Sequence, residues 1–318
     1  MLDKARRIAD DVLFPAAARV DMTGVIPAEH LDLLAREGYY GLAARDDVDR
    51  TTFARIVETL ASGCLATAFV WLQHHSAVTA AATTAGIREE WFEALRSGRR
   101  RAGVSQAGVR PGPSPLTAQR VAGGYLLDGE APWVTGWGMI DTLRVAARDG
   151  DTIVWALLDA AAGPTLGVTP LDLVAVQASR TVHVRFDRHF VPDERVTGTL
   201  ALADWPDWDA ANLALNGALA LGVAARCCRL MGPGPLNAEL DAVRAALDTG
   251  TAQTLPAARA AASELALRAA ATVTVTTGSR AVLAGAHGQR LVREATFLLV
   301  FGSRPAIRAD LLHRVRRG

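Results

Sequence analysis

A change of hydrophobic period, made twice, constrains this chain more than any other feature. Up to about residue 100 apolar residues recur at helical spacing, from 101 to 203 they alternate, and from 204 helical spacing returns. In DRTTFARIVETLASGC, for example, Phe53, Ile56, Val57 and Leu60 follow the i, i+3, i+4, i+7 rhythm of a buried helix face. In Thr181–Phe186 the period is two, with Val182, Val184 and Phe186 on one side and polar groups on the other. One segment cannot satisfy both periods. The chain is therefore read as α+β: an N-terminal α-helical domain (1–100), a middle antiparallel β domain (101–203) and a C-terminal α-helical bundle (204–318).

Breakers refine this division. Residues 2–13 form an amphipathic helix limited by Pro15, and Pro27 opens PAEHLDLLAREG, which Gly38 closes. ATAFVWLQHHSAVTAAATTAG is almost wholly apolar and so central to a bundle. Gly-Gly, Asp-Gly and Gly-Asp turns punctuate the middle third. Gly232-Pro233-Gly234-Pro235 interrupts the helices of the last third.

Charge and cysteine usage exclude several functions. Thirty-four basic and thirty-three acidic residues leave a net charge of +1, so no global field draws nucleic acid or a membrane surface. Cys64, Cys227 and Cys228 lack metal-ligand spacing, as do the adjacent His74 and His75, and no metal is expected. An odd cysteine count and an N-terminus without an apolar h-region point to reduced thiols in the cytoplasm. NLALNGALALGVAARCC is too short and too polar to span a bilayer.

The order α, β, α and the residues at its joints resemble the acyl-CoA dehydrogenase superfamily. The resemblance rests on GGYLLDGEAPWVTGWGMIDTLRVAAR, VHVRFDRHFVPDERVTG, VIPAEHLDLLAREGYYGL, LNGALALGVAA, AGAHG and REATFLLVF, in that family's order. It implies FAD as cofactor, with Trp133 and Thr135 of the Trp-x-Thr turn beside the flavin ring. Chemically an indole offers a flat apolar face and a hydroxyl a hydrogen bond, although the same turn also suits a packed tryptophan at a sheet edge. Val104, Ser105 and Gln106 stand where the family has another flavin-contacting strand end, with Ser-Gln replacing the usual Thr-Glu. Gly285 and Gly288 of AGAHG match a turn that holds the adenosine half of FAD from a neighbouring subunit; a glycine cap between helices is the alternative. The resemblance also puts His287 near the flavin edge, while His183 decorates an exposed strand face.

What the family needs and this chain lacks is a glutamate base. A positioned carboxylate must take the α-proton of an acyl thioester while hydride leaves the β-carbon. The two family positions fall on Gly302 and near Asn212. Asp209 lies one helical turn from the second, and Glu294 and Glu264 are other acids of the region. The resemblance makes Ser114 in VRPGPSP and Arg229 in the shortened RLMGPGPLN candidate surrogates for phosphate contacts, with a solvated helix charge as the alternative for Arg229. The resemblance thus implies a FAD-dependent oxidoreductase acting on the CH–CH bond of an acyl thioester or related carbonyl substrate, as a homodimer or homotetramer. The missing glutamates leave two alternatives: a base-less subunit of a heteromer with a family homologue, or a flavin monooxygenase or repurposed biosynthetic enzyme on the same fold.

Overall fold

The computed structural model describes residues 1–317. Helix α1 (Leu2–Arg7) runs through a π-helical stretch, Ile8–Leu13, into α2 (Phe14–Thr23). Pro15 therefore does not end the first helix as its sequence suggests. It occupies the first turn of α2, where its missing N–H is least needed, and the wider π turn before it accommodates the ring. The stop comes at Gly24, which takes a left-handed φ of +65°. Next come α3 (Ala28–Arg36), α4 (Arg50–Gly63), α5 (Leu65–Gln73), α6 (His75–Thr83) and α7 (Glu93–Arg96). Asp49 caps α4 by accepting the Thr52 N–H at 2.7 Å.

Eight strands follow: β1 (Ala102–Ser105), β2 (Leu116–Val121), β3 (Gly124–Val134), β4 (Thr142–Asp149), β5 (Thr152–Asp159), β6 (Leu166–Pro170), β7 (Val182–Pro192) and β8 (Val196–Ala201). Their order is β6-β7-β3-β2-β4-β5-β8, with β1 beside β4. The sheet is mixed, not purely antiparallel as expected: β1 pairs with β4 in parallel, and β2 touches β4 in parallel at Thr117–Arg148. The β2–β3 hairpin intervenes before β4, so the chain returns to β1 running in the same direction. On one face Leu143, Val145 and Ala147 pack with Leu116, Leu127, Val182, Val184 and Phe186. The other face of β4 carries Arg144, Ala146 and Arg148, and there Ala146 clusters with Trp155 and Trp205.

The last third contains α8 (Trp205–Met231), α9 (Pro235–Asp248), α10 (Leu255–Thr277), α11 (His287–Val300) and α12 (Pro305–Arg317). Their apolar faces join those of the first third in one continuous core, reaching from Ala5 to Leu72 and from Leu213 to Leu311. Gly222 permits the contact of α8 with α4, because a Cβ there would lie 2.5 Å from the Glu58 carbonyl oxygen. Asn212–Met231 is long and apolar enough to cross a membrane, yet most of it is buried inside the fold.

Candidate active site

A cavity of about 1560 Å³ opens between the sheet and the helices. Pockets for one small ligand hold roughly 300–1,000 Å³, so there is room for a cofactor and a substrate together. The sheet supplies Val104, Gln106, Trp133 and Thr135 to its wall, and the C-terminal helices supply Asp209, Asn212, Gly302 and Arg304.

The sheet side is built around a strained turn. The β3–β7 register breaks between Ala131 and Val134, and Trp133 adopts a φ of +67°. A non-glycine residue held there costs on the order of 1–3 kcal/mol and persists only when its surroundings fix it. Here the fixing bonds are Gly136 N–H to Ser179 O (2.8 Å) and Trp137 N–H to Arg180 O (3.2 Å). The strain leaves the Trp133 side 57% exposed on the cavity. Beside it the buried Thr135 hydroxyl meets Thr181 Oγ1 at 3.3 Å, which in turn meets Ser179 Oγ at 2.8 Å. An open indole face beside a chain of hydroxyls fits a flat heterocycle such as a flavin ring.

Strand alternation divides the other expected contacts. Val104 and Gln106 line the cavity; Ser105 between them does not, and its hydroxyl is buried without a hydrogen-bond partner. Gly285 and Gly288 lie outside this cavity, the first in the turn before α11 and the second in its first turn. A Cβ on Gly285 would come 2.9 Å from Met22 Sδ, and one on Gly288 would come 2.9 Å from Ala281 Cβ. Ser114 donates to the Leu116 carbonyl at 2.7 Å, and Arg229 is held by Asp10 and Ser62. His287 stacks on Phe14 at 4.3 Å, away from the cavity. His183 faces Glu130 at 3.4 Å on the partly exposed side of β7.

The helical side brings the two glutamate-less positions together. Asn212 projects from α8 and Gly302 from the turn after α11, and both line the cavity. Gly302 has a φ of +60°, and a Cβ on it would press to 3.2 Å on Asn216 Nδ2. Asp209 is the single carboxylate among the described lining residues. Only 4% exposed, it accepts from Arg304 Nε at 2.8 Å and from Asn212 Nδ2 at 3.3 Å. Glu264 pairs with Arg268 and Glu294 with Arg290, neither in the cavity. Burial pushes the Glu294 carboxyl up in spite of that arginine.

Three arginines escaped the sequence reading. Arg304 orients Asp209. Arg259, fully buried, donates from Nη2 to the carbonyls of Leu298 (3.1 Å) and Phe301 (3.2 Å), capping α11 and shaping the Gly302 turn. Burial pushes its guanidinium down to about 10. Arg144 interrupts the apolar stretch of β4, LRVAA, and lines the cavity. That interruption was its only sequence signal.

Comparison with known proteins follows the same outline. Residues 1–99 match the family described as acyl-CoA dehydrogenase, N-terminal domain. The benzylmalonyl-CoA dehydrogenase of Aromatoleum aromaticum is 28% identical over 211 residues, 60% of this chain and 54% of that protein. The match thus spans about half the length of that relative. Among solved structures, glutaryl-coenzyme A dehydrogenase in complex with glutaryl-CoA superposes with a TM-score of 0.85 at 16% identity, covering 99% of this chain and 94% of the other. PigA with FAD and proline superposes at 0.81 and 17% identity, covering 100% and 97%. At these identities the structural likeness is one of fold.

Proposed function

We propose that this chain, which matches the acyl-CoA dehydrogenase N-terminal domain over residues 1–99 and shares the fold of glutaryl-coenzyme A dehydrogenase, is a FAD-dependent oxidoreductase that dehydrogenates an acyl thioester between its α and β carbons. One observation carries the proposal: the strained, exposed Trp133 shares a cavity with a single buried carboxylate, Asp209. Trp133, Thr135, Val104, Gln106 and the backbone of Ser105 would hold the flavin. When bound, FAD supplies the hydride acceptor. Asp209 takes the α-proton, a role worth about 10²–10⁴ in rate for a positioned base. Arg304 and Asn212 orient that carboxylate, while Phe69, Leu213 and Phe297 keep the surroundings apolar. Gly285 and Gly288, facing away from this cavity, would contact the cofactor of a second copy in a homodimer or homotetramer. The setting is the cytoplasm.

Reconstitution with FAD tests this. After gel filtration the protein should keep about one flavin per chain, and an acyl-CoA added without oxygen should bleach it. A chain that retains no flavin sinks the proposal.

A second reading has one observation in its favour: Asp209 is already engaged by Arg304 and Asn212, and neither family position holds a carboxylate. The chain would then be the base-less subunit of a heteromer. Flavin retention with no bleaching until a full-length homologue is added would select it.

A further inference from the structure

The other buried arginines among the described residues each meet at least one carboxylate or carbonyl of the protein itself. Arg148, four residues further along β4 on the same face, gives Nε to the Gly108 carbonyl at 2.6 Å and Nη2 to that of Arg110. Arg226 meets Asp10 and the Ser62 carbonyl, Arg259 meets two helix-end carbonyls, and Arg290 meets Glu294.

Arg144 differs. It is 7% exposed, and its only hydrogen-bond partner among the described residues is the Ser76 hydroxyl, 2.7 Å from Nη1. Its Nε is buried and unpartnered, as is that of Arg290, but where Arg290 has Glu294, no carboxylate or carbonyl among the described residues meets Arg144. The guanidinium lies 4.2 Å from the Trp155 ring centroid, stacked on an aromatic face that offers no lone pair. The same residue lines the cavity, next to Val104 across the β1–β4 register and near Gln73, Ser76 and Thr79 of the helices. A guanidinium fork presents donors matched to a planar pair of oxygens, and one left without an acceptor inside a protein is costly unless a ligand provides it.

We propose that Arg144 is the anchor of an anion subsite that binds a carboxylate on the ligand, with Ser76 beside it. This rests on reading the cavity as the substrate pocket, and it narrows the substrate class to acyl thioesters whose acyl part carries a second, acidic group. The acid end would sit against β4 and α6, while the thioester end lies toward Asp209. Arg144 here selects substrate; it moves no proton.

The test uses free carboxylates, so that it does not depend on turnover or on flavin. Hexanoate and phenylacetate are titrated calorimetrically into the purified protein at neutral pH, each against its primary amide. Binding of the acid at least tenfold tighter than the amide is expected, with that preference lost in Arg144→Met and partly kept in Arg144→Lys. Equal affinity for acid and amide in the unsubstituted protein overturns the proposal, whether or not Arg144→Met folds. So does a preference that survives in folded Arg144→Met. Flavin content is read on the same samples. If Arg144→Met loses flavin while the unsubstituted protein shows no acid preference, the arginine serves the cofactor and the subsite is refuted. A protein that takes up no FAD yet prefers acids through Arg144 refutes the dehydrogenase reading and upholds the subsite.

Discussion

Lowering the pH from 7.5 to 5.0 should destabilise this protein by about 2 kcal/mol through His75, with His74 acting in the same direction. His74 joins the helical layer to the sheet: its Nε2 meets the Leu95 carbonyl at 3.0 Å, and its Nδ1 accepts the Ala102 N–H, at the start of β1, at 2.9 Å. A ring accepting at one nitrogen must be neutral, so a second proton would break the Ala102 bond. His75 Nε2 meets the Tyr39 carbonyl at 3.1 Å, which also accepts the Trp71 indole N–H at 3.2 Å. Burial pushes His75 down to about 4 and His74 well below its usual range, the neighbouring His75 adding to the second shift. With folded values depressed below about 6.5, the unfolded chain binds more protons under that pH. The stabilisation is therefore complete above about 6.5 and is lost as pH falls toward 4. At pH 5, His75 is about 1.5 pH units into that window, or about 2 kcal/mol, and His74 adds in the same direction. That is a sizeable share of a typical total of 5–15 kcal/mol. Glu294, shifted up, works in the opposite direction, so variants are needed to isolate the histidines. Urea unfolding at the two pH values, on the unsubstituted protein and on His74→Asn, measures the effect. Asparagine can still accept the Ala102 N–H and does not titrate, so it should reduce the pH dependence. A pH dependence no smaller in His74→Asn with His75→Gln than in the unsubstituted protein would refute the reasoning.

Other outcomes follow from the site. Asp209→Asn should retain FAD while the rate of flavin bleaching by substrate falls about 10²–10⁴-fold; stopped-flow absorbance decides, and an unchanged rate excludes Asp209 as base. Trp133→Ala should weaken FAD about three- to tenfold, corresponding to roughly 0.5–1.5 kcal/mol for an aromatic contact. Because the ring is exposed, urea stability of the flavin-free protein should stay within about 0.5 kcal/mol. Arg259→Met should lower urea stability by about 1–3 kcal/mol, since the Leu298 and Phe301 carbonyls lose their donor inside the protein. An unaltered midpoint there would mean that the turn at Gly302 is held by something else.

Local chemistry was legible in the sequence, and non-local pairing was not. Alternation at Val182, Val184 and Phe186 predicted their shared buried face because period two depends on neighbours along the chain. Trp133 stood out between turn glycines, and the structure adds the positive φ that turns its ring toward the cavity. The parallel β1–β4 pairing escaped, since nothing within AGVS specifies the direction of a partner forty residues away. Pro15 misled because its effect depends on the π turn preceding it. Asp209 was noticed only as a neighbour of Asn212; its standing as the cavity's carboxylate depends on Arg304, ninety-five residues on. Ser105 shows what alternation adds: it belongs to a matching stretch, but its hydroxyl is buried and does not line the cavity.

The core shared by the first and last helices also sets the order of events at the ribosome. A nascent chain ending near residue 99 presents the faces of α4 and α5 with α8 and α10 not yet made. At roughly 5–20 residues per second the hundred or so intervening residues take on the order of 5–20 s. Throughout that interval Ile56, Leu60 and Phe69 lack their eventual neighbours. Expressed by itself, the 1–99 segment should behave as a sticky, chaperone-dependent fragment, and its solubility should return when residues 204–318 are supplied in trans along with the sheet.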